Sequence, residues 1–402
     1  MPERTFTIGF MPLVDACLPI LAHEHGFAED EGVILNFVRD VSWATVLDRL
    51  LYGHTDCAHM LAPMVIAARL GRGRPARPLA TPFVLGINGN AITMSVELAA
   101  QVASPGEFGD PVEVGAKLRE QAAERAARGR KLRFGVVHRY STHNYKLRYW
   151  LAACGIRPDH DVEIVTVSPP FIAESLASGE IDGACVGEPW NSVCVERGVG
   201  TIVLAGAQIW RRGIEKVLAM HDNLIERRRD KVEALIRALR KAGKHFIDPE
   251  NRDVNAEILA RPQYLDADAT LVGRAITDRL RLAKGASPIH YPDFMLQHRE
   301  VANFPWVSQA TWLYSQMVRW DGLQYSADDA KQAAAAFRPN VYRTALKSVG
   351  DDLPSANSKV EGSLSSPIQV GAESGNITLS PNTFFDRKAF DPDHIEAYLA
   401  GL

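Results

Sequence analysis

Apolar and polar positions in the first hundred residues alternate between two spacings, one typical of strands and one typical of helices. Residues 5–11 are mostly apolar and predict a buried strand, and the apolar positions after them predict a helix that ends near Gly26. Residues 33–40 predict a second strand, and residues 42–53 predict a capped helix. Strands that alternate with helices predict a parallel sheet covered on both faces.

The same pattern returns after residues 103–115, a segment rich in glycine, proline and acidic residues. We place the crossover to a second domain in this segment. Before it, residues 78–96 predict one or two strands broken at Asn88-Gly89. The second set predicts helices over 116–128, 144–153 and 171–178, and strands over 132–137, 162–167 and 181–188.

Residues 200–210 predict a return to the first domain, and long helices follow, such as 224–246. Residues 355–382 are polar and predict a surface loop, after which residues 384–402 redock through apolar anchors. The predicted fold class is therefore α/β, with two lobes, two parallel-rich sheets flanked by helices, and a cleft between the lobes. The predicted division is lobe I over 1–100 and 205–402, and lobe II over 101–204.

Composition narrows the classes of function. The 402 residues carry 45 basic and 48 acidic side chains, a net charge of −3, which is unlike the basic surface of a nucleic-acid-binding protein. No apolar stretch reaches the roughly 18 residues of a membrane span. Five cysteines without a CxxC pair indicate free thiols in a reducing compartment. The N-terminus shows no secretory leader pattern, so we expect a cytoplasmic protein, unless a leader has been trimmed from a longer chain.

The first candidate binding residue is His143, which lies where a predicted strand is followed by a predicted helix. The residue follows possible caps and lies in the first helical turn, with a lysine three residues further on. Unpaired N–H groups and a partial positive charge make such a turn a seat for an anion. The alternative interpretation is a surface histidine in a loop.

Other strand ends offer further positions. Val186 and Gly187 end a strand at a glycine where backbone amides can approach a ligand, although Trp190 plugging the lobe explains the same pattern. Pro169 stiffens a loop, and Asn90 follows a turn that is equally consistent with a simple hairpin.

Residues outside those strand ends complete the candidates. Trp43 offers an apolar wall and one N–H, and the charge of Lys216 is suited to balance an anion. His59 and Cys185 are interpreted as core residues. His23 and His25 lack the further ligands that a metal site needs, and no P-loop, GxGxxG, GxSxG or HExxH motif occurs.

Together these segments resemble the nitrate- and bicarbonate-binding (NrtA/CmpA-like) proteins of ABC importers, in order from the first strand to the last helix. The segments that carry the resemblance are IGFMPLVDACLPILAHEHGF, SWATVLDRLLYGHTDCAHMLAPM, GINGNAIT, STHNYKLRYWLAACGI, CVGEPWN and FFDRKAFDPDHIEAYL. The resemblance implies the two-lobed type II periplasmic-binding-protein fold, with an anion held between the lobes. The positions that match the family's ligands are Trp43, Asn90, His143, Pro169, Val186, Gly187 and Lys216.

Two of these positions bear on which anion the protein binds. The family often has glutamine in place of Asn90, so the amide here is one methylene shorter. Nitrate-binding members carry lysine at the position of Lys216, whereas the bicarbonate branch resembles it but uses an acidic residue and a metal ion. The resemblance therefore implies nitrate or nitrite, with no metal and no other cofactor.

A cytoplasmic copy of this scaffold resembles the NasS-type nitrate sensors of the family. That resemblance implies a non-enzymatic protein that holds an ANTAR-domain antiterminator inactive and releases it when nitrate or nitrite binds. Direct contact with nucleic acid is not expected. Two alternatives stay open: the solute-binding subunit of a nitrate importer without its leader, and a cytoplasmic enzyme on the same fold.

Overall fold

Two separate β-sheets organise the chain in the computed structural model, which describes residues 4–351 and 353–402. Residues 1–3, on which the leader argument partly rests, lie outside the described part. The strands are β1 Thr5–Phe10, β2 Ile34–Arg39, β3 Cys57–Leu61, β4 Leu79–Ala80, β5 Val84–Asn88, β6 Asn90–Ser95, β7 Leu132–Val136, β8 Val162–Thr166, β9 Gly183–Gly187, β10 Gly200–Ala205, β11 Ile214–His221, β12 Arg279–Leu280, β13 Ile289–His290, β14 Met295–Leu296, β15 Ile368–Gly371 and β16 Asn376–Leu379.

Helices surround both sheets. They are α1 Cys17–Glu24, α2 Phe27–Asp30, α3 Trp43–Leu51, α4 Ala62–Arg69, α5 Val96–Val102, α6 Pro111–Ala127, α7 Thr142–Ala153, α8 Ile172–Ala177, α9 Trp190–Arg197, α10 Gly206–Ile209, α11 Asp222–Arg227, α12 Arg229–Ile247, α13 Arg252–Ala260, α14 Ala269–Ile276, α15 Val307–Trp320, α16 Ala327–Ala335, α17 Pro339–Lys347 and α18 Ile395–Ala400. Within the described residues, none of these helices is both long and apolar enough to cross a membrane.

The first sheet has the strand order β14-β5-β11-β3-β1-β2, with β4 paired to β11. Its pairs are parallel only between β1 and its two neighbours, and β11 runs antiparallel to β3, β4 and β5. The second sheet has the order β10-β6-β9-β7-β8, in which β7 is parallel to both neighbours and β6 is antiparallel to both. Both sheets are therefore mixed, because β6 and β11 each enter one sheet directly from the other.

The chain first passes between the sheets at Gly89, earlier than the segment 103–115 in which the sequence predicts the crossover. Gly89 has a φ of +80° and Asn88 a φ of +61°, and this left-handed turn sends β6 into the second sheet. The strand Asn90–Ser95 thus pairs in the second sheet, although the predicted first lobe includes it. The strand Gly200–Ala205 pairs there too, so the predicted return over 200–210 comes only at β11.

Two helices differ from their predicted bounds. α6 begins at Pro111 rather than at 116, because Asp110 caps it by accepting hydrogen bonds from the amides of Val112 and Glu113, and proline suits the first helical position. The helix predicted over 224–246 is broken at Arg228, whose φ of −122° and ψ of 37° are not helical.

The C-terminal segment contains a hairpin and several buried apolar residues. Residues 355–382 contain the hairpin β15–β16, so the prediction of a loop throughout is wrong. The prediction of apolar anchors is confirmed: Phe384, Phe390 and Ile395 are buried. The Phe384 ring stacks at centroid distances of 5.1 Å from Trp210 and 5.6 Å from Trp312.

Candidate functional site

Three neighbouring strands of the first sheet bring an acid, a histidine and a lysine together. Asp15 lies in the short turn Val14–Ala16 after β1, His59 lies in β3, and Lys216 lies in β11. Asp15 Oδ2 is 2.9 Å from Lys216 Nζ, and its Oδ1 is 2.9 Å from His59 Nε2. One carboxylate therefore bridges a cation and an imidazole.

A β-bulge adds a second carboxylate. In the pairing of β11 with β5, Ile214 faces Ile87 and Lys216 faces Gly86, so Glu215 has no partner in the register. A bulge redirects a side chain that would otherwise point to the opposite face from its neighbour. Consecutive side chains consequently reach the same place, and Glu215 Oε1 lies 3.2 Å from Lys216 Nζ.

The second sheet and α7 close the cluster from the other side. Asn90, the first residue of β6, donates a hydrogen bond from Nδ2 to Glu215 Oε2. His143, in the first turn of α7, places Nδ1 3.0 Å from Glu215 Oε1, an ion-pair distance. The turn is held by Ser141, whose hydroxyl accepts a hydrogen bond of 3.1 Å from the amide of Asn144. Glu215 therefore connects residues from both sheets.

An aromatic wall completes the arrangement. Trp43 starts α3, and its ring centroid lies 5.5 Å from Lys216 Nζ and 5.5 Å from the His59 ring. A cation at this distance from an aromatic face is attracted by the ring. We call Asp15, Trp43, His59, Asn90, His143, Glu215 and Lys216 the central cluster, and none of its members is more than 4% exposed.

Charges in the central cluster are set by burial and by mutual pairing. Burial would raise the pKa of Asp15, but Lys216 and His59 hold it well below its usual range. Burial would likewise raise the pKa of Glu215, but its interactions with His143 and with the charge of Lys216 lower it to about 2. Burial would lower the pKa of Lys216, yet the two carboxylates raise it. Both acids are thus ionised and the lysine is protonated at neutral pH.

The two histidines are neutral in this arrangement. Burial lowers the pKa of both His59 and His143 from 6.5, although Asp15 and Glu215 oppose the effect. The negative charge of Glu215, 3.0 Å from Nδ1, repels a lone pair there, so the neutral ring carries its proton on Nδ1, although the two atoms are not aligned as a hydrogen bond. His143 Nε2 then presents a lone pair when the ring is neutral and an N–H when it is protonated.

Several buried polar atoms beside the cluster have no hydrogen-bond partner within residues 4–351 and 353–402. They are Trp43 Nε1, His59 Nδ1, Asn90 Oδ1, Thr142 Oγ1, both ring nitrogens of His143, and Lys146 Nζ. A buried donor without a partner costs about 1–3 kcal/mol. Buried polar atoms without a partner are explained in native structures by a bound ion or water, by strain or by a catalytic role, and a bound anion is one such explanation.

The strand end that carries Gly187 contacts the loop before Asp15. The amide of Val14 donates to the carbonyl of Glu188 at 2.9 Å, and Trp190 Nε1 donates to the carbonyl of Pro12 at 3.1 Å. A Cβ on Gly187 would lie 3.3 Å from Leu13 and 3.7 Å from Asp15 Oδ2. The glycine therefore permits the two sheets to close around the cluster.

The sequence of the chain matches the model of the NMT1-like family over residues 1–260. The chain belongs to the NMT1-like family. It is 29% identical over 412 residues to the nitrate/nitrite binding protein NrtA of Synechococcus elongatus, a match that covers 100% of this chain and 87% of that protein. This supports the predicted resemblance to the NrtA-like solute-binding proteins, whereas the closer likeness to the sensor branch stays a prediction.

Two further relatives bear on fold and extent. The chain is 31% identical over 349 residues to the nitrate import ATP-binding protein NrtC of Synechocystis sp. PCC 6803, covering 85% of this chain and 50% of that protein. It thus spans half the length of that relative. The crystal structure of the periplasmic nitrate-binding protein NrtA from Synechocystis PCC 6803 has a TM-score of 0.86 at 24% identity, covering 99% of this chain and 98% of that one. The predicted periplasmic-binding-protein fold is confirmed.

Most of the residues predicted for the site meet in this NMT1-like chain. Trp43, Asn90, His143 and Lys216 belong to the central cluster, and Gly187 lies against Asp15. The two remaining residues are placed through their neighbours. Pro169 follows Ser168, whose hydroxyl donates to the carbonyl of Val41, and Val186 accepts a hydrogen bond of 2.8 Å from Asn191 at the end of β9.

Sequence reasoning missed the acidic half of the cluster. Lys216 is predicted as a charge awaiting an anion, but Asp15 and Glu215 already pair with it. His59, interpreted as a packing residue, is bonded to Asp15. The signal for Asp15 was an acid in an otherwise apolar stretch after a strand, whereas nothing in the local sequence marks the bulge at Glu215.

The site offers little for cysteine or metal chemistry. Burial raises the pKa of Cys185 to about 12, so this thiol is a poor nucleophile. Within residues 4–351 and 353–402, no three histidine, cysteine, aspartate or glutamate side chains are arranged to hold a metal ion.

Proposed function

We propose that the central cluster binds nitrate or nitrite between the two sheets. The observation that carries the proposal is the set of buried donors without partners, above all Trp43 Nε1, whose ring lies 5.5 Å from the protonated Nζ of Lys216. Nitrate is a flat monoanion with three acceptor oxygens, so it satisfies donors that converge from several sides. Charge-assisted hydrogen bonds in a closed, water-poor cleft are stronger than neutral ones.

The acidic residues fit this proposal as internal counter-ions. Without Asp15 and Glu215, the buried Lys216 would have no partner in the protein, which costs several kcal/mol. The pairs hold Lys216 at the wall formed by Trp43. The acidic Glu215 stands beside a lysine and accepts a hydrogen bond from Asn90, which favours a metal-free anion over bicarbonate held with a metal.

We further propose that the protein is a cytoplasmic, non-enzymatic nitrate or nitrite sensor. In this proposal it sequesters an ANTAR-domain antiterminator, releases it on anion binding, and so controls genes of nitrate assimilation. The support is the resemblance of motifs such as CVGEPWN and STHNYKLRYWLAACGI to the nitrate- and bicarbonate-binding family, which includes the sensor branch. Because ligand binding at an interlobe site selects one arrangement of the lobes, a partner can read that arrangement.

The second candidate is the solute-binding subunit of a nitrate importer. The names of the relatives favour it, since one is a nitrate import protein and another a periplasmic nitrate-binding protein. Both candidates require the same anion site, so one calorimetric experiment with two arms separates them.

The first arm titrates nitrate and nitrite into the purified protein and a His143→Gln variant in metal-free buffer. We expect the wild type to bind and the variant to bind roughly tenfold or more weakly, because it loses the imidazole in the cluster. His160→Gln, at an exposed histidine, is the matched control. If the folded wild-type protein gives no heat of binding with either nitrate or nitrite, the proposed anion site is wrong.

The second arm repeats the titration with the antiterminator present. A sensor must bind nitrate more weakly in that complex, because coupling between two ligands is reciprocal. If the antiterminator does not change the nitrate affinity and no complex forms on gel filtration, the protein is better explained as an importer subunit.

A further inference from the structure

Lys146 is a buried lysine that the site described so far does not use. Its side chain is 0% exposed, and Nζ has no hydrogen-bond partner within the described residues. It stands three residues after His143 on α7, and residues at this spacing share one face of a helix. An uncompensated ammonium in the interior is costly, so a lysine kept there for structure alone would be expected to have a partner.

The head of Lys146 lies beside the central cluster. A Cβ on Gly213 would come within 2.5 Å of Lys146 Cε and 2.7 Å of its Nζ, so the lysine rests on the backbone two residues before Glu215. The absence of a side chain at Gly213 gives it this room. Burial lowers the pKa of Lys146, whereas the charge of Glu215 raises it and that of Lys216 lowers it, so the three groups act on one another.

The formal charges of the buried side chains give a reason for a second lysine in the cluster. Asp15 and Glu215 are ionised and Lys216 is protonated, which leaves one net negative charge with neutral histidines. A buried site of that charge repels an anion. A protonated Lys146 brings the sum to zero.

We propose that Lys146 is a second cationic ligand of the bound anion, acting together with Lys216. The inference rests on the proposed anion-binding function and adds a specificity-determining residue to the same site. Two cations in contact with a monoanion favour a small oxyanion over a neutral ligand of the same shape. Thr142 Oγ1, in the same helical turn as His143, offers a further donor.

The test measures nitrate affinity by calorimetry for Lys146→Met, with Lys117→Met as the matched control. Methionine keeps the length of the side chain without its charge, and Lys117 is an exposed lysine of α6. We expect Lys146→Met to weaken nitrate binding about 10- to 100-fold, the worth of a charge-assisted hydrogen bond, and Lys117→Met to leave it unchanged.

A double variant separates an electrostatic role from a structural one. Lys146→Met combined with Glu215→Gln restores the sum of charges, so it should bind nitrate more tightly than Lys146→Met alone. Weakening by the single variant without this recovery would overturn the proposal. So would wild-type affinity in Lys146→Met. If the wild type itself binds neither nitrate nor nitrite, the proposed function fails rather than the role of Lys146.

A measurement on the wild type covers the case in which a variant does not fold. Lys146 and Lys216 are the two fully buried lysines among the described residues. In protein labelled with ¹⁵N-lysine, nitrate should shift two exchange-protected ammonium signals. A shift of one signal alone would overturn the proposal.

Discussion

At the scale of single residues, the arrangement of the site depends on how buried charges compensate one another. Two buried carboxylates hold Lys216 in place, with distances of 2.9 Å to Asp15 and 3.2 Å to Glu215. Removing one partner of such a pair typically costs 3–5 kcal/mol, because it leaves an uncompensated buried charge. This is why His143 and Lys146, rather than Lys216, are the better positions for testing anion binding without unfolding the protein.

The protonation of His143 gives the binding reaction a pH dependence. Nitrate beside Nε2 would stabilise the protonated ring and raise its pKa in the complex above that of the free protein, where burial lowers it. Nitrate affinity should therefore rise as the pH falls from 8 to 6, by at most about tenfold per unit. Asp15 and Glu215 stay ionised throughout this range, since their pKa values are lowered.

Calorimetry at several pH values, in buffers of different ionisation enthalpy, checks this expectation through the protons taken up on binding. The His143→Gln variant should show a flatter profile. An affinity that stays constant or falls as the pH is lowered would contradict the assignment of His143.

At the scale of helices and strands, the sequence predicted those elements that are determined by neighbouring residues. The apolar run at β1 and the cap and helix of α7 appear where they are predicted, because each depends on neighbouring residues. The strand pairing of Asn90–Ser95 and the bulge at Glu215 were missed, since both depend on contacts between distant segments. The resemblance to the family predicted Lys216 and His143 as site residues. The acidic residues Asp15 and Glu215 could be identified only from the folded structure.

Gly206 tests how α10 and β6 together position the site. A Cβ there would lie 1.7 Å from Asn90 Oδ1, so alanine must displace the amide that binds Glu215. We expect Gly206→Ala to lower the free energy of unfolding by about 1–3 kcal/mol and to weaken nitrate binding. Urea unfolding and calorimetry measure the two effects.

Gly273→Ala is the matched control, because a Cβ there meets only Ala256 at 3.6 Å and the position lies inside α14. It should be neutral or stabilising by up to about 1 kcal/mol. Equal behaviour of the two variants would contradict the role given to Gly206.

At the scale of the whole molecule, both sheets supply residues of the central cluster, and neither sheet can form it alone. The first sheet contributes Asp15, His59 and Lys216, and the second sheet with α7 contributes Asn90 and His143. The C-terminal segment helps to fix α7, because Tyr149 donates to Asp386 and packs 5.3 Å from the Phe384 ring. In the proposed function, anion binding and the relative position of the two sheets are therefore coupled through the same residues.

The most direct test of the account is a crystal structure of the protein grown with nitrate in metal-free solution. We predict planar density for the anion beside the Trp43 ring, within hydrogen-bond distance of His143 Nε2, Lys146 Nζ and Lys216 Nζ. Nitrate bound elsewhere in the crystal, or nitrate that contacts neither His143 nor the two lysines, would contradict the account.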